Sequence, residues 1–267
     1  TFWRAVSIFN HSNATNIILH LPREFPIRQY SGMGKGWKQA GIAANSAKKG
    51  AIFTKLAREI QVAAKLGGPD PNSNSRLRMA IDAAKEESCP KDTIERAIKK
   101  GAGLLDDGAQ IEELSYEGYG PHKVGIIVEC QTDNRNRTAS EIRNIFNKNG
   151  GALGAEGSVM WMFDRVAMLE ASKAGVPDPE EDAIEAGANE VERLEGDKCL
   201  FYGAPEDLKA IETALTSRGW AVSVSELSYK AKNITEVSDE QKKEVIEFMQ
   251  ILDDNDDSHR IHCTLDL

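Results

Sequence analysis

Four basic residues recur at the spacing of one face of a helix. Lys48, Lys55, Arg58 and Lys65 are separated by seven, three and seven positions, which places them within an arc of about 100° at 3.6 residues per turn. Side chains aligned in this way can follow a phosphate backbone, and each phosphate that they neutralise releases condensed counterions. We call these four residues the basic stripe. The alternative is an ordinary solvated helix face.

A second pair of basic residues points to an anion site. Arg135 and Arg137 lie between a predicted strand and a predicted helix that opens with the capping box Thr138-x-x-Glu141. Backbone amides and the positive end of a helix dipole favour an anion at such a position. The alternative is that both arginines pair with Asp133, Glu141 or other acidic neighbours.

An aromatic residue between lysines adds a possible stacking site near the N-terminus. Trp37 stands between Lys35 and Lys38, and an indole ring in a basic setting can stack on an unpaired base. The same ring could instead anchor this segment on the protein's own helices.

The other motifs lack the geometry of a catalytic or metal site. The glycine-rich segment Gly151–Gly157 follows a predicted helix and precedes a strand, the reverse of the order in a dinucleotide-binding loop. His259 and His262 are three apart on a predicted strand and therefore face opposite sides. The segment Asp253–Asp257 begins like a calcium loop, but the required glycine and closing glutamate do not follow. We therefore expect no catalytic residue, metal, cofactor or small-molecule substrate, and predict that the chain is not an enzyme.

The net charge of −9 conceals an uneven distribution. Residues 33–101 contain 14 Lys and Arg against 7 Asp and Glu, whereas residues 102–267 contain 16 basic and 34 acidic residues. Such a division suggests a part that binds polyanions attached to a part that repels them. It is equally compatible with a basic domain that docks onto an acidic one.

The N-terminal segment and the cysteines bear on processing and location. Residues 1–32 have no periodic apolar face, so we expect a disordered leader or extension, with Met33 as an alternative start. No apolar run approaches the ~20 residues that span a bilayer, and the four cysteines contain no CxxC pair. We expect no membrane association and a cytoplasmic, bacterial protein, or a mitochondrial matrix protein if residues 1–32 are a presequence.

Three short helices are predicted to carry the basic residues of the N-terminal half. The first begins at Lys48 and ends before Gly67–Pro71, the second runs from about Arg76 to Glu87, and the third from Pro90 to Gly101. Short loops between them predict a small bundle.

Strands and helices alternate in the remainder, which predicts two small α+β sandwiches. A helix is expected from Thr138, a long strand over Ser158–Glu170, and inward positions for Val159, Trp161 and Phe163. The later predicted elements are helices near Pro179–Val191, at Pro205–Ser217 and after the cap Ser238-x-x-Gln241, and strands near Lys198–Tyr202, Ala221–Leu227 and Arg260–Leu265.

Four blocks of sequence follow one another in order: Ile52–Ile60, Gly67–Arg78, Pro90–Gly101, and Tyr116–Pro121 followed by Thr132–Thr138. Together they resemble the YebC/PmpR family, which includes the mitochondrial translational activator of cytochrome oxidase. The resemblance extends from about Met33 to the C-terminus.

This resemblance implies an α+β fold of three domains. The first is a basic three-helix domain at residues 33–103. The other two are small ferredoxin-like α+β domains, of which the second (153–231) is inserted into the first (104–152 plus 232–267).

The resemblance also implies a nucleic-acid-binding regulator of gene expression. Family members are described as DNA-binding transcriptional regulators or as translation factors that act on the ribosome. We favour a factor directed to ribosomal or other RNA, because no helix-turn-helix reader of base edges is evident; promoter DNA is the alternative partner. The candidate nucleic-acid-binding residues are Lys35, Trp37, Lys38, Lys48, Lys49, Lys55, Arg58, Lys65, Arg76, Arg78, Arg96, Lys99, Lys100, Arg135 and Arg137.

Overall fold

The computed structural model describes residues 35–105, 110–175, 178–194 and 196–265, with side chains from Lys49 onward. The predicted leader lies outside these residues. In chain order, the helices are α1 (Lys35–Gly67), α2 (Ser75–Glu86), α3 (Lys91–Gly101), α4 (Arg135–Lys148), α5 (Glu180–Ala186), α6 (Leu208–Ser217) and α7 (Asp239–Asp253). The strands are β1 (Glu112–Tyr119), β2 (Gly125–Thr132), β3 (Ala152–Leu153), β4 (Phe163–Ser172), β5 (Glu190–Arg193), β6 (Lys198–Gly203), β7 (Ala221–Ala231) and β8 (Ser258–Cys263).

Helices α1 to α3 form a helical domain with a core of its own. Ile60, Leu77 and Ile94, one from each helix, are buried together. Helix α1 begins at Lys35 and not near Lys48 as predicted, since residues 35–47 include four alanines and no proline that would end a helix. The end of α3 crosses α1 very closely: a Cβ at Gly101 would lie 2.2 Å from the carbonyl oxygen of Gln61. Glycine is therefore required at this crossing.

The middle domain is a four-stranded antiparallel sheet in the order β3-β1-β2-β8, with α4 and α7 on one face. Residues of β2 alternate between its two faces. Ile126 and Val128 pack against the helices, where Phe146 and Phe248 meet edge to face with centroids 5.1 Å apart. The opposite face carries Ile127, Glu129 and Gln131.

The inserted domain occupies the chain between β3 and α7. Its elements follow the order β4-α5-β5-β6-α6-β7, and its sheet has the strand order β5-β6-β4-β7, which is the ferredoxin-like arrangement. An apolar cluster that includes Ile127, Val159, Phe163 and Ala231 joins this domain to the open face of the middle sheet. The predicted α+β class, with one sheet domain interrupted by the other, is confirmed.

Three further local predictions were wrong. The helix predicted near Pro179–Val191 ends at Ala186, and Val191 lies in β5. Thr138 does not cap α4, because the side chain of Asn134 accepts a hydrogen bond from Arg137 N and starts the helix one turn earlier. The strand predicted from Ser158 begins only at Phe163, after a 3-10 turn at Met160–Met162.

A buried carboxylate explains that turn. Glu117 accepts backbone N–H bonds from Gly157, Val159 and Met160 at 2.7, 3.0 and 2.8 Å. The bend that these bonds impose breaks the strand alternation. Trp161 is consequently 65% exposed and is not a core residue as predicted.

Candidate nucleic-acid interface

The middle of the basic stripe faces the segment Asp253–Asp257, which we call the acidic loop. Lys55 Nζ contacts the carbonyl oxygen of Asp253 and lies 3.4 Å from its carboxylate. Arg58 contacts the carbonyl oxygen of Asp256, and its Nη1 atom lies 2.9 Å from Oδ1 of Asp257. These two cations are therefore neutralised within the molecule.

The ends of the stripe differ from its middle. Lys65 is exposed, and its Nζ atom donates to the carbonyl oxygen of Ile111 at 3.3 Å. The side chain of Lys48 lies outside the described residues. The stripe is thus a helix face turned largely toward the acidic half of the chain, and its orientation matches the docking alternative.

Asp257 is the centre of the contacts at the acidic loop. Its buried carboxylate accepts hydrogen bonds from Arg137, Thr132 and Thr138 as well as the contact with Arg58. Burial acts to raise its pKa, but the hydrogen bonds of Thr138 and Arg137 and the charges of Arg58 and Arg137 hold it below the ordinary value. The aspartate is ionised and ties α1, α4 and the acidic loop together.

The two arginines of the predicted anion site have different environments. Arg137 donates to Asp257 at 2.9 and 3.0 Å and to Asp133 at 3.1 Å, so it makes the acidic contacts foreseen as the alternative. Arg135 has an exposed side chain, and its carbonyl oxygen accepts from the Tyr116 hydroxyl at 3.3 Å. The structure therefore leaves Arg135 facing solvent at the start of α4.

Arg76 and Arg78 also contact acidic residues of other elements. Arg76 binds both carboxylate oxygens of Glu59, at 2.7 and 3.0 Å, and lies 2.7 Å from Glu113 of β1. Arg78 lies 3.6 Å from Glu212 of α6. These arginines link the helical domain to the middle and inserted domains.

Glu59 is a buried residue of this junction that sequence reasoning missed. Besides its bonds with Arg76, Glu59 accepts a hydrogen bond from Gln131 Nε2 at 2.6 Å and lies 3.0 Å from His259 Nε2. Burial acts to raise its pKa, yet the charges and hydrogen bonds of His259 and Arg76 lower that pKa well below the usual range. An acidic residue between Arg58 and Ile60 was the signal available in the sequence.

Helix α3 presents basic side chains to solvent. Arg96 and Lys99 are exposed, and they line an open groove together with Asp92, Glu95 and Leu105. Lys91 is exposed near Glu95, at 3.5 Å, and Lys100 is half-buried. Of the predicted residues, those on α3 therefore come closest to an open phosphate-binding face.

Helix α4 also carries exposed basic side chains. Along with Arg135, the side chains of Arg143 and Lys148 are exposed. Neither was among the predicted residues, although their position on the helix that follows Arg135 was visible in the sequence. Lys49 is exposed on α1.

The side chains of Lys35, Trp37 and Lys38, three of the predicted residues, lie outside the described residues. In the part of the chain that is described, no three His, Cys, Asp or Glu side chains come together to hold a metal ion, and no helix is long and apolar enough to cross a bilayer.

Two family models match most of the chain. Residues 36–104 match the TACO1/YebC protein N-terminal domain, and residues 111–265 match the TACO1/YebC second and third domain. The division between the two models falls just before β1.

Related proteins and one solved structure agree with these matches. A protein of Bdellovibrio bacteriovorus named "probable transcriptional regulatory protein" is 66% identical over 233 residues, covering 87% of this chain and 100% of the relative. A protein of Pseudomonas syringae pv. tomato with the same name is 46% identical over 87% of this chain and 99% of its own length. The crystal structure of a conserved hypothetical protein from Aquifex aeolicus superimposes with a TM-score of 0.73 at 41% identity, covering 82% of this chain and 90% of that one.

Proposed function

Because this chain belongs to the TACO1/YebC family, we propose that it is a nucleic-acid-binding regulator of gene expression and not an enzyme. Relatives at 66% and 46% identity are named probable transcriptional regulatory proteins, which supports a role in gene expression. The proposal includes a cytoplasmic location, where bacterial transcription and translation take place.

The observation that carries the proposal is that α3 and α4 carry exposed basic side chains in an acidic molecule. Lys55, Arg58 and Arg76 are covered at the domain junctions, and the whole chain has a net charge of −9. Exposed Lys and Arg on one helix can bind consecutive phosphates. The exposed basic side chains are Lys91, Arg96 and Lys99 on α3, and Arg135, Arg143 and Lys148 on α4.

We further propose that the target is folded RNA, such as ribosomal RNA. Helices α3 and α4, which carry these exposed cations, belong to different domains, and a folded RNA presents phosphates in separated patches. A long uniform duplex would bring its phosphates close to acidic surface, since residues 102–267 carry 34 acidic and 16 basic residues. Promoter DNA is the second candidate, favoured by the names of the relatives.

A paired charge variant tests this proposal. Arg96→Gln/Lys99→Gln removes two exposed cations of α3, whereas Lys242→Gln/Lys243→Gln removes the same charge from α7. Affinity for a labelled ribosomal RNA fragment is measured by fluorescence anisotropy over a range of salt concentrations. The α3 variant should bind more weakly, and its log–log salt slope should shrink by about 2 because two phosphate contacts are lost.

The control variant should retain the wild-type slope. Equal binding by the α3 variant and the wild type would show that α3 does not contact the RNA. Selection of one promoter duplex over competitor DNA by ~1000-fold, as specific DNA-binding proteins achieve, together with no binding to ribosomal RNA, would establish the transcriptional alternative.

A further inference from the structure

We propose that the acidic loop is a built-in competitor for nucleic acid, and that phosphates displace it from Lys55 and Arg58 as the helical domain detaches. The inference rests on the proposed function and adds a regulatory contact to it. It makes the covered part of the basic stripe a second binding surface, used in an open arrangement of the domains.

The helical domain is attached through polar contacts. Its buried apolar cluster consists of residues from α1, α2, α3 and the turn between α2 and α3, and in the described part of the chain no buried apolar cluster combines them with either sheet domain. By contrast, the cluster around Ile127 and Phe163 joins the two sheet domains. Detachment of the helical domain therefore exposes little apolar surface, and the ion pairs that hold it weaken as salt rises.

Each buried carboxylate at the interface keeps a partner on its own side. Asp257 retains Arg137, Thr132 and Thr138, all in the middle domain, when Arg58 leaves. Glu59 retains both bonds to Arg76, within the helical domain, when His259 and Gln131 leave. Removing the partner of a buried charge is normally costly. Here each side keeps its own ion pair, so separation is compatible with two intact domains.

The contacts made by the acidic loop resemble those that a phosphate backbone would make. Lys55 and Arg58 are three residues apart on α1, and each meets oxygen atoms of the acidic loop. The oxygens of successive phosphates are acceptors of the same kind, with stronger charge. A tethered competitor lowers the apparent affinity for nucleic acid, because only the open fraction of the molecules can bind it through Lys55 and Arg58. Nucleic acid binding and domain opening are therefore linked.

Charge reversal in the acidic loop tests the linkage. Asp253→Lys repels Lys55. Asp254→Lys places the same new charge at the adjacent exposed position, which has no side-chain partner among the described residues. Small-angle X-ray scattering of the full chain measures opening, and anisotropy with a labelled ribosomal RNA fragment measures affinity. We expect Asp253→Lys to have the larger radius of gyration and to bind the RNA about fivefold more tightly than Asp254→Lys, a typical size for coupling between two sites.

A second variant separates gating from simple docking. Lys55→Gln removes the same ion pair from the other side, so it should also open the molecule. Because it removes a phosphate contact too, it should bind RNA more weakly than Asp253→Lys does. If both variants open the molecule and bind RNA equally well, the stripe is a docking surface alone and the inference is wrong.

The remaining outcomes distinguish this inference from the proposed function. If the wild type binds RNA through α3 while Asp253→Lys and Asp254→Lys have equal affinities and equal radii of gyration, the competitor is disproved and the proposed function stands. If neither the wild type nor any variant binds ribosomal RNA or DNA, the proposed function fails and the competitor role fails with it.

Discussion

At the scale of single residues, the partner of a cation decides what that cation can do. Lys55, Arg58 and Arg137 have the side chains that a phosphate site requires, but each contacts an aspartate of the acidic loop. Arg135 is two positions from Arg137 and is exposed. Arg137 is exposed as well, but its guanidinium is bound to Asp257 and Asp133, so the two neighbouring arginines have different roles.

Removing the charge of Asp257 should destabilise the fold. Asp257→Asn keeps the size of the side chain but removes the charge that Arg58 and Arg137 face. We expect a loss of about 2 kcal/mol in the free energy of unfolding, since hydrogen bonds to charged groups contribute ~1.5–3 kcal/mol each and both arginines are partly solvated. Urea denaturation at neutral pH measures it. Asp254→Asn, at an exposed position, should change the value by less than ~0.5 kcal/mol.

The pH dependence of the stability difference between the wild type and Asp257→Asn is a control for the effect of the charge. The pKa of Asp257 is lowered in the folded state, so the stability it contributes is present above its ordinary value of 3.8 and is lost as pH falls through the lower folded value. The difference between wild type and Asp257→Asn should therefore shrink below pH 3.8. A constant difference down to pH 2 would mean that the charge of Asp257 is not what stabilises the fold.

At the scale of elements, the sequence predicted those features that depend on local chemistry. The helix cap of Ser238 and Gln241 is confirmed, and α2 and α3 end within one residue of their predicted ends. Caps and breakers act over a few residues, so they are visible in the chain itself. The Thr138 cap was wrong because Asn134, also a good cap residue, is four positions earlier.

The orientation of α1 could not be predicted in this way. Periodicity identifies residues that share a helix face, but not the surface that the face meets. Lys55 and Arg58 contact residues 198 positions away in the chain, and Glu59 meets Gln131 and His259. The charge division left docking and nucleic acid binding equally open, and only tertiary contacts distinguish them for each residue.

Two glycines of the helical domain should respond in opposite ways to substitution by alanine. Gly101→Ala places a methyl group against the Gln61 carbonyl where α3 crosses α1, and overpacking of this kind costs ~1–3 kcal/mol. Gly50→Ala meets nothing within 4 Å in α1 and should stabilise the protein by up to ~1 kcal/mol through helix propensity. Thermal unfolding of both variants measures the contrast. Equal effects of the two substitutions would contradict the close crossing.

At the scale of the whole molecule, the acidic half has two effects on the basic one. It neutralises part of the basic stripe, and it leaves basic side chains exposed on α3 and α4. The helical domain is held by ion pairs, whereas the two sheet domains share an apolar cluster. The molecule is thus built as a firm pair of sheet domains with a helical domain whose attachment responds to charge.

If exposed basic side chains of α3 and α4 bind nucleic acid, the affinity for RNA must depend on salt. The full chain is titrated into a labelled ribosomal RNA fragment at several salt concentrations near the physiological value. We predict a log–log slope on the order of −3 to −6, because ~4–6 phosphates are neutralised and each releases counterions. An affinity that does not change with salt, or no binding at physiological salt, would contradict it.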